Sequence, residues 1–189
     1  MYTRFLVVAS FSAVFATSAS ADPFFAQMVL QDVTFQVESP NDSSINPMVV
    51  RASTAEGIFG QMEAEADGTI TSVEIEDLNA DGYPEIYVYV TSAGSGSYGS
   101  VFVYASNKNK SLSEIRLPSI EDDPKVSQGY MGHDKFAVGE GAFLRRFPVY
   151  RKGDTNAHPT GGVRQIQYKL ESGESGLVLR QDRVLELPF

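Results

Sequence analysis

The chain has 189 residues, is 42% hydrophobic and 21% charged, and contains neither cysteine nor tryptophan. That hydrophobic share is ordinary for a globular protein, which excludes global disorder and fibrous repeats, and the lack of cysteine excludes a disulfide framework, a thiol nucleophile and any Cys-ligated metal. Lys+Arg 15 against Asp+Glu 24 leaves a net charge of −9, which argues against nucleic-acid binding and favours a basic partner through steering.

The first residues read as a targeting segment. Tyr2 to Arg4 form a short charged start, Phe5 to Phe15 an apolar run, and Ala19-Ser20-Ala21 a small-x-small cleavage pattern. The run is shorter than the roughly 20 residues needed to span a bilayer. The expectation is a signal peptide over residues 1–21, cut after Ala21, and an exported domain over 22–189 with no membrane anchor. Loss of Arg4 removes one positive charge and takes the net charge from −9 to −10.

Period-two alternation dominates the rest of the chain. Val33, Phe35 and Val37 alternate with Thr34, Gln36 and Glu38, the pattern of a strand with one buried face. Met62, Ala64 and Ala66 alternate with glutamates, and Asp67-Gly68 predicts a hairpin turn into a strand from Thr69 to Ile75. Glu85 to Val90 (EIYVYV) is apolar or aromatic on both faces, which predicts a central strand, and Ser100 to Ala105 (SVFVYA) has the same character. A polar turn, Asn107 to Lys110, precedes Leu112 to Leu117. Between Pro118 and Pro159 the signal weakens, with Gly129, Gly132, Gly139 and Gly141 breaking any long helix and helical turns admitted near Pro124 to Gly129. A terminal hairpin of Val163 to Leu170 and Gly176 to Leu187 closes the chain. Short strands separated by turns predict an all-β, single-domain antiparallel β-sandwich with short helical turns only.

Three motifs invite a chemical reading. Asp77, Asn79, Asp81 and Glu85 place oxygens at alternating positions of DLNADGYPE, a spacing that suits a hard cation such as calcium. Position twelve is Val88 and Pro84 blocks a following helix, so an EF-hand is excluded. The reading taken is an Asx-rich turn bonded to its own backbone, with a cation site at Asp77, Asn79 and Asp81 as the alternative. Gly94-Ser95-Gly96-Ser97-Tyr98-Gly99 matches G-x-G-x-x-G literally, yet a strand follows where the dinucleotide fingerprint needs a helix. The segment is instead a thin loop between two buried strands, offering the hydroxyls of Ser95, Ser97 and Tyr98 and exposed backbone N–H groups. Uncharged donors on a narrow finger suit a cleft that holds carboxylates, such as that of a glycosidase. His133-Asp134 invites a hydrolase triad, but no G-x-S-x-G elbow accompanies it, and no nucleophile–base pair has convincing spacing. Arg145-Arg146 and Arg151-Lys152 surround Phe147 to Tyr150 and read as a solvated basic cluster or local salt bridges.

Four stretches together resemble the periplasmic inhibitors of invertebrate-type (i-type) lysozyme: DLNADGYPEIYVYV at Asp77 to Val90, SAGSGSYGSV at Ser92 to Val101, QGYMGHDKF at Gln128 to Phe136, and GAFLRRFPVYRKGDTNAHPTGGVRQIQY from Gly141 to Tyr168. The resemblance implies a periplasmic β-sandwich, not an enzyme, that presses a loop into the active-site cleft of an i-type lysozyme and protects a Gram-negative wall against host defence. Carried over, the residues reaching the catalytic carboxylates are Ser95 and Tyr98, with Gly94, Gly96, Ser97 and Gly99 shaping the loop. It implies no metal and no cofactor, and a homodimer is left open. The rival readings are a module for another lysozyme class or a cell-envelope carbohydrate, and a calcium-stabilised envelope protein.

Overall fold

Strands follow the alternation almost everywhere it occurs. The computed structural model describes residues 22–139 and 141–189, so the signal-peptide expectation, which falls on residues 1–21, lies outside the described residues. Strands β1 (Phe24–Leu30), β2 (Val33–Ser39), β3 (Ile45–Thr54) and β4 (Gly57–Asp67) form one antiparallel meander in sequence order. A second comprises β5 (Thr69–Glu76), β6 (Glu85–Thr91), β7 (Gly99–Ser106) and β8 (Leu112–Ile115). After a 3-10 turn at Ile120–Asp122 and the single-turn helix α1 (Pro124–Ser127), a third comprises β9 (Lys135–Gly139), β10 (Ala142–Pro148), β11 (Val163–Ser172) and β12 (Leu177–Leu187).

The all-β sandwich is as expected, and it has three layers. The β5–β8 sheet lies in the middle and contributes to two separate cores. Ile86, Val88, Val90 and Tyr104 pack with Val33, Phe35, Met48 and Val50 of the β1–β4 sheet. Tyr87, Tyr89, Val103 and Ala105 pack with Phe143, Phe147, Ile166 and Tyr168 of the β9–β12 sheet. Glu85 through Val90 are all buried, as a strand apolar on both faces must be when it is covered on both sides. Each apolar side chain buried this way stabilises the fold by about 1.5–3 kcal/mol. No helix among the described residues is long and apolar enough to cross a membrane.

Two expectations need correction. Asp67-Gly68 is not a hairpin turn: β4 pairs with β3, and β5 pairs with β6. The dipeptide is the corner where the chain leaves the first sheet for the middle one. Gly68 has φ +130°, and a Cβ there would lie 2.3 Å from the Thr91 carbonyl oxygen. Side chains replace the missing ladder. Asn46 Nδ2 donates to Gly68 O at 2.7 Å, and Asn41 both donates to Ile70 O (3.0 Å) and accepts from Ile70 N (2.8 Å). The weak region also holds two strands, β9 and β10, paired antiparallel. Gly139 and Gly141, read as breakers, stand at the ends of these strands where the hairpin turns. Strands β1 and β3 also go beyond the expected set. Pro47 interrupts the β3 pattern; it lies opposite Glu65 of β4 and beyond the part of β3 that pairs with β2 (Val49 to Ser53), so its missing N–H costs no bond to β2.

Candidate functional site

The Ser-Gly segment connects β6 to β7, followed by a strand and not a helix. Its neck is clasped by Ser92, whose N–H donates to Tyr98 O at 2.9 Å and whose Oγ accepts from Tyr98 N at 3.0 Å. Ser97, at φ +42°, donates its N–H to Gly94 O at 3.1 Å and closes the tip. Gly94 and Ser95 are exposed, Gly96, Ser97 and Gly99 are half-buried, and Tyr98 is 51% exposed. Glycine at 96 has a specific reason: a Cβ there would lie 2.5 Å from the Tyr98 ring, so any side chain would push the ring away.

What holds this loop comes from far along the chain. The Gly132-His133 backbone runs against it, with His133 N donating to Gly96 O at 2.8 Å. A Cβ on Gly132 would lie 2.1 Å from that same oxygen. At the base, Asp134 Oδ2 accepts from Gly99 N (2.9 Å) and from the Tyr130 hydroxyl (2.6 Å). Its other oxygen accepts from Arg145 Nε at 2.7 Å, and Arg145 Nη2 donates to the Tyr130 hydroxyl oxygen at 2.8 Å. The Asp134 side chain is 0% exposed. The Arg145 guanidinium also lies over the rings of Tyr130 (5.1 Å), Phe136 (5.7 Å) and Phe147 (6.0 Å). Tyr98 meets Tyr130 edge-on with ring centroids 5.7 Å apart. Burial, and then the bond to Asp134, push the Tyr130 hydroxyl pKa well above its ordinary value. Burial works against the Arg145 charge, but the Asp134 carboxylate outweighs it, and the guanidinium pKa is raised. A buried ion pair, with both carboxylate oxygens of Asp134 bonded, therefore sits beneath the loop.

The solvated basic cluster holds for its other members and not for Arg145. Arg145 is 6% exposed and faces the core, whereas Arg146, Arg151 and Lys152 are exposed. His133 and Asp134 do not act together, since His133 Nε2 meets Asn156 Oδ1 at 3.0 Å while Asp134 serves Arg145, Tyr130 and Gly99. Tyr130, Asp134 and Asn156 are the supporting residues that residue-by-residue reading missed. All three lie within the family-like stretches Gln128 to Phe136 and Gly141 to Tyr168, which the fold brings to the base of the loop.

At the other end of β6, the Asp77 turn is bonded to itself. Asp77 Oδ1 accepts from Asp81 N (2.9 Å) and Oδ2 from Gly82 N (2.8 Å) and Gln31 Nε2 (2.8 Å). Asn79 Oδ1 accepts from Asp81 N (3.3 Å), and Asp81 Oδ1 from Tyr83 N (2.9 Å). This is the geometry of an Asx-rich turn. No three acidic or histidine side chains among the described residues are arranged to hold a metal ion. Beneath the turn, Glu85 is 0% exposed; its Oε2 accepts from Leu78 N at 3.0 Å, and its Oε1 has no partner. Burial, opposed by the Leu78 bond and reinforced by the charges of Asp77, Asp81 and Glu76, pushes its pKa up to about 8.

Residues 48–127, from β3 through α1 and including the loop, match the model of the family described as periplasmic lysozyme inhibitor of I-type lysozyme. The family resemblance stands. The Asp77 to Val90 and Ser92 to Val101 stretches fall inside the matched span, and the other two family-like stretches lie beyond it. The chain is also similar to Aeromonas hydrophila PliI, crystallised in complex with Meretrix lusoria lysozyme, at 29% identity and a TM-score of 0.42, covering 48% of this chain and 80% of that one. A second crystal structure, of PliI-Ah, the periplasmic lysozyme inhibitor of I-type lysozyme from the same organism, gives 29% identity, a TM-score of 0.43 and coverage of 48% and 84%. No curated protein matches the chain.

Proposed function

We propose that this protein is an exported, non-catalytic inhibitor of i-type lysozyme that inserts the Ser95–Tyr98 loop into the lysozyme cleft. The observation that carries the reading is a thin loop, presenting Ser95 and Tyr98 to solvent, on a base that is bonded at both neck and tip. A family model for such inhibitors spans that loop. Chemically, Ser95 and Tyr98 supply neutral hydroxyl donors. Inside a cleft that excludes water, a hydroxyl donating to a catalytic carboxylate forms a charge-assisted bond worth about 1.5–3 kcal/mol. Insertion blocks the site by occupying it. The net charge, −9 for the whole chain and −10 without Arg4, speeds encounter with a basic enzyme without setting the final affinity. The periplasm is the compartment this reading requires, with residues 1–21 directing export and inhibition protecting a Gram-negative wall from host lysozyme.

The deciding experiment assays residues 22–189 against i-type, C-type and G-type lysozymes. Selective inhibition of the i-type enzyme is expected. Equal inhibition of all three, or none, would defeat the reading.

A further inference from the structure

Asn156 connects two distant parts of the chain at the loop tip. Its Nδ2 donates to the Ser95 carbonyl oxygen at 2.6 Å, across 61 positions of sequence. Its Oδ1 meets His133 Nε2 at 3.0 Å, and its own backbone carbonyl accepts from the Tyr150 hydroxyl at 2.9 Å. Tyr150 thus pins the backbone while His133, donating through Nε2, turns the amide so that its NH2 faces Ser95. With His133 N bonded to Gly96 O (2.8 Å), two consecutive carbonyls of the tip are fixed from outside the loop. Gly94, by contrast, has no heavy atom within 4 Å of where a Cβ would stand, and its carbonyl is held only from within the loop, by Ser97 N at 3.1 Å.

We infer that Asn156 is a positioning residue that pre-orders the tip for binding. It acts through Ser95 and need not touch the partner itself. A free Gly-Ser loop of this length samples many conformations, and each must be given up when it enters a cleft. Holding the Ser95 carbonyl means that this cost is met during folding, so the Ser95 side chain is already directed outward. The inference rests on the lysozyme-inhibitor reading for its binding arm. Its structural arm is independent of that reading.

The test uses Asn156→Ala and Asn156→Asp in the mature protein. Asp matches Asn in size and still accepts from His133, but as a carboxylate it cannot donate to Ser95 O. Once protonated, at a pH that the His133 donor lowers beneath the ordinary carboxylate value of about 4, its hydroxyl can. Asn156→Ala is expected to weaken i-type lysozyme binding roughly 3- to 10-fold, the range for loss of one net hydrogen bond. Asn156→Asp should lose at least as much at pH 7. Its deficit relative to wild type, measured by titration calorimetry, should shrink as pH falls below about 4. A residue that merely supported the fold would show no such recovery. In the free protein, amide exchange at Ser97 and Tyr98 should quicken in both variants at pH 7, with melting temperature unchanged. Wild-type binding by both variants, or an Asn156→Asp deficit independent of pH, would overturn the inference. If wild type does not bind i-type lysozyme, the functional reading fails, and unaltered exchange at Ser97 and Tyr98 would then dismiss the clamp separately.

Discussion

The turn that enters β6 and the loop that leaves it flank a strand of 7 residues, and they are stabilised in opposite ways. At the entrance, Asp77, Asn79 and Asp81 accept from backbone N–H groups no more than five residues away, with one further bond reaching Asp77 from the Gln31 side chain. At the exit, the loop's backbone is held by Asp134, His133 and Asn156, and its hydroxyl-bearing residues Ser95 and Tyr98 face outward. A turn that satisfies itself has little left for a partner. A loop whose backbone is satisfied from elsewhere keeps its side chains for recognition.

The largest effect is expected where the loop's support is charged and buried. Asp134→Ala leaves the Arg145 guanidinium buried without its carboxylate, and removing one member of such a pair costs about 3–5 kcal/mol. Urea denaturation should show that loss, and inhibition should fall with it. If stability is unchanged, the pair is not what distinguishes the two ends of β6.

At the entrance, Glu85 provides a pH test. Its pKa rises from 4.5 to about 8 on folding, so the folded state holds more protons between those values. Stability is then complete below the unfolded pKa and declines as pH climbs through the window, by at most about 1.4 kcal/mol per pH unit. Glu85→Gln should flatten the profile. A wild-type curve that rises toward pH 8 would show that Glu85 is charged and paired in the native state.

Next come the exposed hydroxyls. Ser95→Ala should weaken inhibition roughly 10- to 150-fold, since about 1.5–3 kcal/mol is at stake and each 1.4 kcal/mol is a factor of ten. Tyr98→Ala should cost at least as much, and Tyr98→Phe separates ring from hydroxyl. Melting temperature should hardly move in either, and Arg151→Ala should leave potency near wild type. Inhibition constants equal to wild type for both loop variants would reduce the loop to a connector.

The smallest effect concerns calcium. A native site saturated at about 100 times its dissociation constant would add roughly 2.7 kcal/mol. For a turn whose oxygens already accept backbone bonds, calcium and EDTA should leave the melting curve in place. A rise of several degrees, removed by Asp77→Ala and Asp81→Ala, would turn the comparison around.

These contrasts also explain what could be read from the chain. The Asp77 turn is local, so its donors and acceptors sit side by side in the sequence. The EIYVYV strand declared its two buried faces because burial on both sides leaves no polar alternation. The finger between β6 and β7 was legible from its glycines and from the strand that follows them. Its support was not, because Gly99 and Asp134 are 35 residues apart and neither residue type announces the other. Arg145 reads as surface for the same reason, since its burial depends on a carboxylate and three rings supplied by the fold. Asp67-Gly68 shows a different limit. A turn dipeptide between two alternating segments marks a change of direction, and whether the next strand pairs back or joins another sheet rests on Asn41 and Asn46, more than 20 residues upstream of the strand they guide.

Finally, β6 belongs to both hydrophobic cores, with Ile86 and Val88 on one side and Tyr87 and Tyr89 on the other. Loosening either outer sheet uncovers one face of a strand whose opposite face completes the second core. Neither core can melt by itself without stripping the other's wall. Partial opening therefore has no low-energy stopping point at the middle sheet, and the three layers should come apart in one cooperative transition. A protein without disulfides gains from that arrangement: the loop can remain exposed while the scaffold that holds it offers proteases few half-open states to attack.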